Sequence, residues 1–569
     1  MNPSDQEPDQ ERGQERGQEA PQPYQPSPVV QPPAEPVPSV PPVTPPEVPQ
    51  QQPVAPQPKG SKLKKVLLTL LSVIVLAGIA FAVYVFWPTT TASESGASTK
   101  TTKHDIAQIN VGVASGQIGL YPKGGTDSYI QSINSQVFES LVQYQDETKL
   151  VPLLSTGWSN PNNDTWVFNL KHNIKFHDGN AMTAADVVYS LKLAAADEDL
   201  STSYAATIKD VRALDNYKVE VTTKQTDPFF LNRLSFLKVL DAKKPTVADG
   251  SNGTGPYQVK TGTTPSDSTI ELTAFDGYHG GHVYTRALKY VVEDDEAALS
   301  RDLAAGKIQF AGEFSSAKPA NVTAADYTTW TIDDPAVTYL PLNSVATGPL
   351  QKLPVREALR DSIDVPLLIK DLGIDAQPAS QLMTKTIPGY NESLKVPKQD
   401  IPKAKTLLAS AGYPNGVTLT LTAQTSNLKV AEEVAKQAKA AGFTINIKEE
   451  PSFGTFIDAL IAGKTEMATI SYSSDVFDGS DVFAQVLQQT GNYKSATLDS
   501  YLTQADATLD QADRLSILQK TSKYVYDDVA AIPLFNRQRT WLTAPNYHLQ
   551  FDTHTATPGV YFWQAYSTR

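Results

Sequence analysis

The sequence predicts an α/β fold in which mixed sheets are covered by helices, and three stretches carry that expectation. In "DIPKAKTLLASAGYPNGVTLTLTA", Asp400 can cap a helix, Pro402 suits its first turn and Leu407 and Leu408 face a core. Gly412 ends that helix, Pro414 prevents its return, and Val417, Leu419 and Leu421 then alternate with threonines as a strand. "AEEVAKQAKAAGFTINIKEE" repeats the pattern, with a helix stopped at Gly442 and Phe443, Ile445 and Ile447 on one strand face. "DTWVFNLKHNIKFHDGNAM" adds two strands, marked by Trp166, Phe168 and Leu170, then Ile174 and Phe176, with a turn at Asp178-Gly179. After it, Thr183 and Asp186 form a capping-box-like start to an amphipathic helix.

The 569 residues exceed one ordinary core, and not all of them are domain. Residues 1–61 hold nearly half of the chain's 41 prolines and many glutamines, with few aromatics. Such a segment cannot bury enough apolar surface to offset ordering entropy, so a disordered cytoplasmic spacer is expected. Residues 62–87 contain "VLLTLLSVIVLAGIAFAVYVFW", an uncharged run that at helical rise spans a bilayer's hydrocarbon core. It starts too late and runs too long for a cleaved signal peptide, and Tyr84 and Trp87 suit the interface. Lys62, Lys64 and Lys65 before it place the N-terminus inside and the rest outside. Residues 88–104 form a Ser/Thr-rich tether, and globular composition begins near His104.

No cysteine occurs, which removes disulfides, thiolate metal sites, a cysteine nucleophile and a lipid-modified cysteine anchor. The net charge of -13 argues against a nucleic-acid partner. There is no GxSxG elbow, HExxH pair or phosphate-binding glycine loop, so no catalytic residue is nominated and no enzyme is expected. His177 beside Asp178 is explained by a turn, and His279 and His282 in "GYHGGHVY" do not close a metal site, so no metal or other cofactor is expected. One stretch demands more. In "MATISYSSDVFDGSDVF" an apolar run opens onto Asp475, Asp478 and Asp481, which suits a cation site, a solvated loop or a carboxylate held for an ammonium group. The spacing lacks the alternating carboxylates and closing glutamate of a calcium loop.

"SQVFESLVQYQDETKLVPLLSTGWS", "WVFNLKHNIKFHDGNAMTAADVVYSLK", "GTGPYQV", "YHGG", "PVREAL" and "AKTLLASAGYP" occur in this order. The ordered set, covering roughly residues 105–569, resembles the bacterial extracellular solute-binding proteins of family 5, the oligopeptide and dipeptide receptors of ABC importers. The resemblance implies a bilobed periplasmic-binding-protein-like fold that closes over its ligand. It implies a first lobe at 105–337 carrying an inserted subdomain at about 147–250, a second lobe at 338–530, and a C-terminal segment, 531–569, returning to the first lobe. It also implies an extended peptide held through its backbone. In that alignment Asp475 pairs with the peptide's α-ammonium, Tyr472 is the aromatic before it, and Phe453 is either a cleft wall or plain core. Asp127, Ser128 and Tyr129 fall in the loop that supplies backbone partners.

Three departures qualify the alignment: Tyr472 replaces the family's tryptophan, Gly479 replaces a proline, and Leu460 and Thr469 stand where some relatives carry basic residues for a peptide carboxylate. The expected partners are a peptide, permease subunits in the same membrane and the membrane itself through one helix, the receptor being monomeric. Relatives that bind nickel complexes, oligosaccharides or signalling peptides keep another solute open, and a sensory or adhesion protein is the rival from another class.

Overall fold

The computed structural model describes residues 103–568 apart from 115–117, 121–127, 146–148, 198–199, 201–203, 245–251, 262, 264–267, 294, 315–321, 323–326, 475, 550 and 553–558. The tail, the expected transmembrane helix and nearly all of the tether lie outside the described residues. Among the described residues no helix is long and apolar enough to cross a membrane.

The local signals for an α/β chain are realised in order. Asp400 accepts the Lys403 amide at 2.9 Å and caps the helix Ile401–Ser410. Gly412 then takes φ +92°, a left-handed turn that suits glycine, and the Tyr413 amide closes back on the Leu408 carbonyl. The strand Val417–Ala423 follows and runs parallel to Phe443–Glu449 and Met467–Tyr472. Phe443 is fully buried but Ile447 is 37% exposed, because Phe443–Glu449 is the edge of the sheet and its outer end has no cover. The helix Ala184–Ala196 starts as expected, with an Asp186 oxygen accepting the Thr183 amide at 2.7 Å.

One 11-stranded mixed sheet runs through the structure. From one edge its order is Phe443–Glu449, Val417–Ala423, Met467–Tyr472, Thr328–Pro341, Ala531–Thr543, Phe310–Phe314, Ile109–Ala114, Ala287–Glu293, Thr269–Ala274 and Tyr257–Val259, with Ala376–Pro378 paired to Ala531–Thr543 off this path. The two long antiparallel strands at its centre, Thr328–Pro341 and Ala531–Thr543, slip register between Asp333 and Val337. Different cores flank that slip. Leu340, Leu342, Leu419, Leu421, Val434 and Phe535 belong to one, and Ile109, Leu272, Leu288, Phe310 and Trp541 to the other.

A separate four-stranded antiparallel sheet has the order Ser155–Asn162, Thr165–Leu170, Lys218–Thr223, Ile208–Asp215. Phe168 and Val187 join the sheet to the helix Ala184–Ala196 with no exposed surface, and each such burial stabilises by about 1.5–3 kcal/mol. The expected second strand through Ile174 and Phe176 is a correction: only an isolated bridge, Lys175 to Ala181, forms around the turn at Gly179. Both apolar residues are buried all the same. Alternation therefore reported burial here and not a ladder.

Candidate functional site

A cavity of about 430 Å³ opens where several of these pieces converge, a size suited to a small ligand. The helix Ser128–Val137 contributes Gln131, Ser135 and Gln136, and the segment after it contributes Glu139, Gln143 and Tyr144. Phe236 and Lys238, at and beyond the end of the helix Phe230–Phe236, form another side with Tyr278. Tyr561, Trp563 and Gln564 come from the C-terminal segment, and Phe477 from the loop after the strand Met467–Tyr472. The lining thus mixes aromatic faces with amides, a composition that can stack on apolar groups and hydrogen-bond a polar backbone.

Glu139 is buried in this wall and both of its carboxylate oxygens accept hydrogen bonds. It accepts Tyr278 Oη–H at 3.2 Å, Thr254 Oγ1–H at 2.8 Å and His279 Nε2–H at 2.8 Å. Its carbonyl accepts the Val239 amide at 2.9 Å, which brings the Lys238 backbone alongside. Burial pulls the Lys238 ammonium down to about 8, with the Glu139 charge opposing that shift. Burial pushes the Tyr144 and Tyr278 hydroxyls well above their ordinary range.

The "GTGPY" stretch supports this wall by close approach. A Cβ on Gly253 would stand 1.9 Å from the Val137 carbonyl oxygen, so no larger residue fits. The Gly255 amide donates to that same oxygen at 2.9 Å. His177 ties the loop from the other side: its Nδ1 accepts the Gly253 amide at 3.2 Å and its Nε2–H donates to the Gly255 carbonyl at 3.0 Å. This is the work of the histidine beside the Asp178 turn.

The acidic stretch resolves into separate partners. Asp478 caps the short helix Gly479–Phe483 through the Ser480 amide at 2.8 Å. It is also buried in a two-pronged pair with Arg514, whose Nη2 lies 2.9 Å from Asp478 Oδ1 while Nη1 contacts Oδ2. Burial pushes the Asp478 carboxyl up against the pull of that guanidinium. Asp481 accepts the Tyr472 hydroxyl at 2.8 Å. Among the described residues no group of three or more His, Asp or Glu side chains is placed to hold a metal ion.

The same loop clasps the four-stranded unit. Asn232 Nδ2 donates to the Val476 carbonyl at 3.1 Å, and Val476 packs within that unit's core. Phe477 stacks on Phe236 at 5.9 Å and meets Tyr144 edge-on at 5.5 Å. The Arg514 guanidinium covers the Phe229 ring at 4.1 Å.

Of the residues nominated from sequence, Asp475 and Asp127 lie outside the described residues. Ser128 and Tyr129 are not in a loop: they open the helix Ser128–Val137, whose later turns line the cavity. Tyr472 ends its strand, paired with Val337, and its hydroxyl is taken by Asp481. Phe453 as core is overturned. It begins the helix Phe453–Ile461 and is 63% exposed, and the core position is Phe456, three residues on. Leu460 and Thr469 are buried as well, so neither stands where it can meet a solute. Sequence reasoning missed Glu139, Lys238, Tyr144, Phe477 and Trp563. Glu139 and Tyr144 sit inside "SQVFESLVQYQ", a stretch that carries the family resemblance, and that was the available signal.

Comparison with known proteins agrees with this architecture. The description "Bacterial extracellular solute-binding proteins, family 5 Middle" matches residues 149–494, more than half of the chain. The nickel-binding protein NikA of Staphylococcus aureus is 26% identical over 408 residues, covering 69% of this chain and 81% of that protein. The glutathione-binding protein GsiB of Escherichia coli (strain K12) is 25% identical over 460 residues, covering 75% and 88%. Among solved structures, the ABC transporter substrate-binding protein CtaP of Listeria monocytogenes superimposes with a TM-score of 0.72 at 20% identity, over 82% of this chain and 100% of its own. DppA of Helicobacter pylori in complex with the peptide STSA gives a TM-score of 0.63 at 22% identity, over 82% and 99%. The chain therefore belongs to the bacterial extracellular solute-binding proteins of family 5, receptors of ABC importers and not enzymes.

Proposed function

We propose that this chain is a peptide receptor, held at the outer face of the membrane by the helix within residues 62–87, that captures its ligand in the cavity and passes it to permease subunits of an ABC importer. The observation that carries the reading is the cavity itself, where amides and aromatic rings surround a space of about 430 Å³ and Phe477 closes against Tyr144 and Phe236. Such a lining can bond a peptide backbone with little regard to its side chains. Its relatives support it: one is a glutathione-binding protein, another a murein peptide-binding protein, and a structural neighbour holds the peptide STSA.

Asp475 is the proposed partner of the peptide ammonium. Two residues beyond it in the chain, Phe477 lines the cavity. Tyr472, Phe453 and the Asp127–Tyr129 stretch remain proposed contacts of the same ligand. Ligand affinity for the closed form drives closure, since only a difference in affinity between states can shift them. Calorimetric titration of the full chain in detergent, with a mixed-length peptide pool and the same pool N-acetylated, tests this. Binding of the free-amine pool alone supports both peptide capture and the amine contact. Equal binding of both removes the role of Asp475, and binding of neither turns the search to the nickel complexes suggested by the Staphylococcus aureus relative.

A further inference from the structure

Among the described residues, Lys238 is the one lysine or arginine on the cavity wall. Among the described residues its ammonium has no ion pair and no hydrogen bond. The carboxylate whose charge acts on it, Glu139, already accepts three side-chain donors. A second polar group on this wall is also unspent: the Tyr144 hydroxyl is buried without a hydrogen-bond partner in bonding geometry, although the Asn232 amide lies beside it. Keeping the ammonium of a half-buried lysine and a buried hydroxyl unpaired costs free energy that a suitably placed acceptor returns. Lysine supplies three donors and no acceptor, so the missing partner is an acceptor, and a carboxylate satisfies it best by adding charge to hydrogen bonding.

We propose that Lys238 receives a carboxylate of the bound solute, so that this cavity selects ligands bearing a free acid group. The inference rests on the peptide-receptor reading and deepens it: the C-terminal carboxylate of a peptide is the group that Lys238 would hold. A purely structural role, balancing the charge of Glu139 across the wall, predicts the same fold but no discrimination between an acid and its amide.

The test compares a mixed-length peptide pool having free C-termini with the same pool amidated, titrated into the full chain in detergent, and then into Lys238→Met and Lys238→Arg. The expected result is that the wild type binds the free-acid pool at least about tenfold more tightly than the amidated pool. Lys238→Met should lose that preference by weakening only the free-acid pool, and Lys238→Arg should keep most of it. Equal binding of both pools by the wild type overturns the inference and leaves the peptide receptor intact, a comparison that needs no variant to fold. A preference that survives in Lys238→Met overturns it too. Binding of neither pool removes the peptide reading and the inference with it.

Discussion

Arg514→Met is the perturbation whose cost the structure sets most directly. Arg514 and Asp478 are 3% and 4% exposed at their side chains, and the guanidinium also donates to the Ala505 carbonyl at 3.1 Å and to Ser480 Oγ at 3.1 Å. Methionine keeps the apolar stem but leaves the Asp478 carboxylate buried without its cation, and breaking one side of such a pair costs about 3–5 kcal/mol. That is a large part of a typical stability of about 5–15 kcal/mol. Asparagine at 478 can still cap the Ser480 amide, so Asp478→Asn combined with Arg514→Met should recover most of the loss, since no buried charge remains. The sign with pH follows from burial. The Asp478 carboxyl already lies above its ordinary 3.8, and without Arg514 it rises further. An acid with a raised native pKa costs nothing below its unfolded value and costs progressively more as pH rises towards the native one. Urea denaturation of wild type, single and double variants at pH 5 and pH 8 reads all of this. A single-variant deficit under about 1 kcal/mol, or one no smaller in the double variant, would refute the reasoning.

Three further outcomes are expected. Burial lowers the Lys238 pKa to about 8 from an ordinary 10.5, so the unfolded chain binds more protons between those values and wild-type stability should climb across that window; Lys238 as a whole is only half-buried, which keeps the climb to about 1–3 kcal/mol, and Lys238→Met should flatten it in denaturation curves. Phe477→Ala removes the ring that meets Phe236 and Tyr144; it should widen the free protein in small-angle scattering and weaken peptide binding by about tenfold or more, whereas an unchanged radius would argue that the loop does not hold the clasp. Gly253→Ala places a methyl against the Val137 carbonyl oxygen and should lower stability by about 2 kcal/mol or more; a variant as stable as wild type would show that this backbone approach relaxes freely.

The agreement between sequence and structure is closest where the physics is local. A cap, a proline in the first turn and a glycine at the end specify the helix Ile401–Ser410 within a dozen residues, and the threonine alternation after it specifies its strand. Local geometry of the same kind makes Asp478 a cap. It could not supply Arg514, which stands 36 residues away and on another helix. Nor could periodicity decide between Phe453 and Phe456 as the buried ring, because both open one helix and only the sheet beneath selects a face.

By itself, then, the sequence determined the α/β alternation, the helix ends, the absence of cysteine chemistry and, through an ordered series of short motifs, the solute-binding family. Tertiary structure decided the cavity. Gln136, Lys238, Tyr278, Phe477 and Trp563 meet there from segments spread over more than 400 residues of chain, and each acquires its role only from the others. The physical reason is the range of the interactions: caps and turns act over a few residues along the chain, whereas burial, charge pairing and desolvation depend on neighbours that only the folded sheet brings together.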